Sequence, residues 1–201
     1  AFSNCESLKH ISIPSSVIEI CDSAFSKCIL LEDFEIPLSV KKIGKSVFNE
    51  CKSLKEISIP SSITEICDST FFNCILLKKV EINSALLKIG DLAFAGCESL
   101  RKFEIPLSVL EIGYNAFGRC PLTNVELPNK LKILKGAFIE CVLLKEIVIP
   151  PSVTKIGNSA FYEAVQLEKV IFPPKLTSIC SYAFYNCKSI TEIELPSSIY
   201  I

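Results

Sequence analysis

Residues 93–113 read Ala93-Phe94-Ala95-Gly96-Cys97-Glu98-Ser99-Leu100-Arg101-Lys102-Phe103-Glu104-Ile105-Pro106-Leu107-Ser108-Val109-Leu110-Glu111-Ile112-Gly113. Two rhythms run through this stretch. From Leu100 to Ile105 it ends in alternation, as a short strand with one buried face does. Pro106 has no N–H for a ladder and ends the strand. Val109 and Ile112, three apart, predict a second, shorter extended piece on another side of a coil. Phe94 and Cys97, also three apart, would face inward together. In other copies a polar pair such as Asp22-Ser23 precedes the Ala-Phe step, placed to cap a single helical turn.

The stretch recurs. Phenylalanine returns at Phe2, Phe25, Phe48, Phe71, Phe94, Phe117, Phe138, Phe161 and Phe184, at intervals of 23 residues except for one of 21 between Phe117 and Phe138. A fixed period of this length is the mark of stacked coils, none of which buries its apolar face alone. Stacking puts Phe on Phe and Leu on Leu, from Leu8 through Leu100 to Leu167, with Ile190 last. Strands of successive coils would form one parallel sheet at about 4.8 Å per coil, and nine coils a body roughly 40 Å long. The proline column is broken at Asn83 alone.

The segment L-x-x-I-x-I-P-x-S-V-x-x-I resembles the leucine-rich repeat, and the added I-G-x-x-A-F-x-x-C resembles its BspA-like subtype. The likeness runs through essentially the whole chain, with departures at Asn83, at Ala164 in the cysteine column and at the two-residue deletion. It implies an α/β repeat solenoid: a right-handed superhelix, a concave parallel β-sheet and short helical turns on the convex side. Residues 1–201 form a single domain of about nine repeats on this reading, expected to be a fragment lacking both caps. The resemblance also implies cell-surface or secreted display and adhesion to a host or extracellular matrix protein, fibronectin among them.

Composition narrows the classes. The chain has 201 residues, 49% of them apolar, enough for a continuous core. A net charge of -1 argues against nucleic acid as a partner. No run of apolar residues is long enough to insert in a membrane.

Eleven cysteines invite a disulfide reading. Eight share one column: Cys5, Cys28, Cys51, Cys74, Cys97, Cys120, Cys141 and Cys187. Stacked neighbours have parallel Cβ vectors, whereas a disulfide wants a dihedral near ±90°. The expected state is a ladder of buried free thiols acting as small hydrophobes, and Ala164 in that column agrees. Cys21, Cys67 and Cys180 stand where other copies have Gly44, Gly90, Gly113 and Gly157, so that position does not demand positive φ. With one histidine, His10, and no paired C-x-x-C spacing, no metal site or other cofactor is expected. Burial would keep the thiols inert outside a cell, and a reducing cytoplasm would suit them too.

The outward strand positions are the candidate sites. Lys78, Lys79, Arg101 and Lys102 make a basic group beside the acidic run Glu81, Glu104 and Glu126. Read blandly this is a solvated lattice of ion pairs; read sharply it is a recognition stripe for a charged protein partner. Val148 and Ile171 are apolar where other copies are polar, a second candidate contact, with Phe172 assigned to the core. Apolar pairs at Ile29-Leu30, Ile75-Leu76 and Val142-Leu143 alternate with polar ones such as Lys52-Ser53. In the N-terminal half this makes the effective unit a pair of coils, 46 residues. No residue set points to catalysis. The expected function is protein binding, with a block that self-associates through uncapped ends, or an intracellular scaffold, as the alternatives.

Overall fold

The computed structural model describes residues 1–82, 86–131 and 133–200, so Asn83 and Ile201 lie outside the described residues. Its strands are β1 (Glu19–Ile20), β2 (Lys42–Ile43), β3 (Glu56–Ile59), β4 (Glu65–Ile66), β5 (Lys79–Ile82), β6 (Lys88–Ile89), β7 (Glu111–Ile112), β8 (Ile133–Leu134), β9 (Glu146–Val148), β10 (Lys155–Ile156), β11 (Lys169–Ile171) and β12 (Ser178–Ile179). All pairings are parallel, each joining one coil to a neighbouring coil. The chain is a parallel-stranded solenoid.

The core is the stacked columns. Every ring from Phe2 to Phe184 lies nearly parallel to the next, with centroids 5.2–5.9 Å apart. These steps exceed the spacing of about 4.8 Å within a sheet. Leu31 through Leu167 and Cys28 through Cys141 are buried, while the terminal members of the columns are more open.

Two strand faces flank this core. Before the proline column, among the described residues, β3 pairs with β5 and β9 with β11. After it, the predicted shorter pieces form β1–β2, β4–β6–β7 and β8–β10–β12. The serine of P-x-S-V ties successive coils there: Ser39 and Ser108 donate to the carbonyls of Val17 and Leu86, at 2.7 and 2.6 Å.

The expected helical turn is not a helix; no helix occurs among the described residues. The Ala-Phe step is bracketed by left-handed residues, such as Ser69 (φ 54) and Asn73 (φ 55) around Phe71. A right-handed helix cannot pass through such residues. The freed N–H groups turn to the next coil: Phe71 N–H donates to Ala93 at 2.8 Å and Asn73 N–H to Ala95 at 2.8 Å. The pattern recurs from Phe2 to Phe161, making this the continuous backbone spine of the stack. The aspartates cap across coils, not a helix of their own. Asp22 Oδ1 accepts Lys45 N–H at 2.7 Å, and Asp91 Oδ1 accepts Tyr114 N–H at 2.7 Å.

That cap explains Gly44, Gly90 and Gly113, whereas Gly157 faces Leu134 O and Lys135 instead of a carboxylate. A Cβ on Gly44 would lie 2.3 Å from Asp22 Oδ1, and one on Gly90 2.6 Å from Asp68 Oδ1. Space, and not positive φ, excludes a side chain there. Cys67 follows a coil with Lys45 at the cap position, where no such carboxylate intervenes.

The deletion is two separate losses. Cys120 and Leu122 are two apart where Cys97 and Leu100 are three apart. The register Ile156↔Leu134 places the other loss between Leu134 and Ala137. The spine absorbs both, with Phe117 N–H to Ala137 at 2.9 Å.

Candidate functional site

The face before the proline column carries the candidate residues. In β3 and its neighbours alternate side chains point into the core, so Lys79 and Glu81, or Lys102 and Glu104, stand on the exposed side together. Spaced two apart, they pair along their own strand: Lys79–Glu81 at 2.6 Å and Lys102–Glu104 at 2.8 Å. The hydrogen bond from each ammonium holds its carboxylate below the usual range and raises the lysine. All four are exposed.

Lys78, Lys79, Glu81, Lys102 and Glu104 line one cleft with Val80 and Ile82. It lies between the fourth and fifth coils, where no ladder joins the strands. Arg101 is exposed beside Lys102, and Glu126 is exposed one coil on. Lys78 and Arg101 make no ion pair among the described residues. The basic and acidic rows are therefore interlocked by pairs, with Lys78, Arg101 and Glu126 left over.

Val148 and Ile171 are register partners in the β9–β11 ladder and both are exposed, at 51% and 41%. They form a separate apolar spot beyond the charged rows. Phe172 packs against the core, edge-on to Phe184 at 5.9 Å, as predicted. Of the apolar pairs outside the strands, Leu30, Leu76 and Val142 are exposed and Ile29 and Ile75 half-buried.

A furrow that the sequence reading did not single out lies between the second and third coils. Phe34, Ile36 and Ile57 floor it, Leu38 stands at its end, and Asp33, Glu35, Glu56 and Glu81 edge it. The available signal was the heptapeptide Phe34-Glu35-Ile36-Pro37-Leu38-Ser39-Val40, which returns as residues 103–109.

All eleven thiols are free. Burial raises Cys51 to about 12 and holds Cys74, Cys97 and Cys141 well above 9.0. Each thiol from Cys28 to Cys141 also donates to the phenylalanine carbonyl of the preceding coil, at 3.1–3.2 Å. No group of three or more His, Cys, Asp or Glu among the described residues is placed to hold a metal ion. Among the described residues no helix is long and apolar enough to cross a membrane.

This repeat defines the class. The chain belongs to the BspA type leucine-rich repeat family, whose model matches residues 1–100 and 132–201 in six copies. No curated protein matches it. A leucine-rich repeat protein from Bacteroides ovatus ATCC 8483 is similar, with TM-score 0.78 and 31% identity over 80% of this chain. That match covers 42% of the Bacteroides protein, so this chain spans less than half of its length. A leucine-rich repeat protein of T. pallidum gives TM-score 0.65 at 26% identity, covering 90% of this chain and 77% of the other. A pneumococcal vaccine antigen shares the fold, with TM-score 0.59 and 24% identity over 92% of this chain and 56% of the antigen.

Proposed function

We propose that this chain is a non-catalytic protein-binding module, displayed at a cell surface, that takes its partner on the strand face before the proline column. The supporting observation is the cleft where Lys78, Lys79 and Lys102 converge with Glu81 and Glu104 over Val80 and Ile82. Stacked coils hold these groups on a rigid backbone, so complementary charge steers and orients a partner without an ordering cost in the module. Glu126, Arg101 and the Val148–Ile171 pair extend the contact along the solenoid. The family supports surface display, and a matrix protein is the partner class this reading expects.

The test is solid-phase binding to a panel of matrix proteins, fibronectin included. Wild type is compared with a variant carrying Lys78→Glu, Lys79→Glu, Arg101→Glu and Lys102→Glu. The expected result is saturable binding to at least one matrix protein, weakened about tenfold or more in the variant. Equal binding by both proteins removes this face from consideration. Antibody labelling of intact source cells tests the display.

A further inference from the structure

The furrow between the second and third coils lies over a crowded part of the core. Phe34 occupies a column held by Ile11, Ile57 and Val80 in nearby coils. Its ring wedges edge-on between Phe25 and Phe48, at 4.8 and 4.7 Å. The Phe25–Phe48 step is the widest in the stack, at 5.9 Å. Among the described residues no strand ladder joins these two coils, as between the fourth and fifth, and β3 pairs with β5 on its far side.

At this junction lies a cleft of about 540 Å³ with an apolar floor. Leu38 stands over it, 80% exposed, where the neighbouring coils have Ser15 and Ser61. Its rim is acidic: Asp33, Glu35, Glu56 and Glu81 against Lys79, which Glu81 already holds. His10 lies 3.5 Å from Asp33. Neither Glu35 nor Glu56 makes a salt bridge among the described residues, although Glu56 stands opposite Lys79, whose ammonium Glu81 holds. With a chain charge of only -1, this is a local concentration of negative charge.

We infer that the furrow docks an extended peptide segment carrying Lys or Arg on both sides of one large apolar residue. This rests on the strand-face reading above and names the partner chemistry for a second place on that face. The apolar side chain covers Leu38 and the Phe34 floor. The flanking cations reach Glu35 and Glu56, their long stems lying along the apolar wall. Lys78, Arg101 and Lys102 farther along repel the same cations, which confines the segment to the second and third coils.

The test uses fluorescence anisotropy with a labelled Gly-Ser-Lys-Arg-Leu-Arg-Lys-Ser-Gly peptide and a counterpart with Glu at each cationic position. Wild type should bind the cationic probe and not the acidic one. Glu35→Lys with Glu56→Lys should weaken cationic binding at least about tenfold, and Leu38→Ser should weaken it about tenfold. These positions are exposed, and unchanged thermal midpoints confirm that the fold is kept. Lys78→Glu with Lys102→Glu should not weaken cationic binding, since it removes a repulsion rather than a contact. Overturning results are no binding of the cationic probe by wild type, indifference to the Glu35/Glu56 reversal, or indifference to Leu38→Ser. The last would reduce the effect to diffuse charge. If matrix binding is lost only with the Lys78 group, the strand-face reading stands while this inference falls. If neither group matters to any partner, both fall.

Discussion

The thiol of Cys97 donates a hydrogen bond to the carbonyl oxygen of Phe71, 3.2 Å away in the preceding coil. The same oxygen accepts the N–H of Cys74 at 3.2 Å, so both of its lone pairs are used. The cysteine column is thus a row of staples between coils as well as a row of small apolar groups.

Cys97→Ala should therefore cost about 1–3 kcal/mol, since it removes a buried group and leaves one lone pair of the Phe71 carbonyl without a donor. Urea denaturation measures it. A loss near zero would mean that packing alone decides the column.

Phe94→Ala should cost about 3–5 kcal/mol, because its ring is fully buried between Phe71 and Phe117 with Phe103 against it. Glu98→Ala, on an exposed neighbour, should change stability by less than about 0.5 kcal/mol. Similar losses at both positions would contradict the inward and outward assignments.

Gly90→Ala should destabilise by about 1–3 kcal/mol. Its Cβ would sit 2.7 Å from the Asp68 backbone nitrogen and 2.8 Å from the Cys67 carbonyl carbon. Gly157→Ala, whose nearest contact is 3.0 Å, should cost less. Thermal unfolding of the two variants checks the order.

The buried thiols predict alkaline weakening. Burial raises Cys51, Cys74, Cys97 and Cys141 above the ordinary 9.0, so the unfolded chain releases these protons first. Their contribution is complete below about pH 9 and declines above it, by about 1.4 kcal/mol per pH unit for each thiol until it ionises in the folded chain. Denaturant midpoints across that range measure the slope. In the native protein a thiol reagent should label exposed Cys5 and Cys21 well before Cys97. Equal labelling rates would refute the burial.

Asp68 predicts the acid limb. The Lys45 ammonium, 2.9 Å away, is the leading cause of its lowered value, with the Asp91 N–H assisting. Its contribution is present above the ordinary 3.8 and fades as pH falls through the lower folded value. Asp68→Asn should cost no more than about 1 kcal/mol at neutral pH, because the pair is partly exposed. It should flatten the loss of stability below about pH 4. An unchanged acid limb would assign that loss to other carboxylates.

The stack itself was legible because the phenylalanine, leucine and proline columns have fixed spacing, and identical spacing forces identical placement. The Ala-Phe turn was misread because Phe94 and Cys97, three apart, fit a helical turn and a pair of tight turns equally well. Left-handed φ at residues as ordinary as Ser69, Glu50 and Leu92 carries no residue signature of its own. The candidate strand residues were correctly placed outside, since alternation decides that. Their partners were not: Lys79 joins Glu81 of its own strand, and a column diagram shows neighbours across coils more readily than neighbours two apart. The furrow escaped notice because Phe34 is apolar in an apolar column, and column spacing alone does not show which junctions lack a strand ladder.

The 46-residue pairing anticipated from alternating sequence is present in the strand face: β3 joins β5, β9 joins β11, and Glu32 N–H to Lys9 and Thr123 N–H to Arg101 mark two further pairs. The heptapeptide at 34–40 returns after 69 residues, three coils on. Two counts therefore run along one rod, like the scales of a vernier. Phe34 ends a pair and stands at a junction between pairs. Phe103 opens a pair, and the Thr123–Arg101 bond at 3.3 Å survives beside it. Identical words thus acquire different meanings according to their phase, and a chain of near-duplicate units displays junctions of differing chemistry.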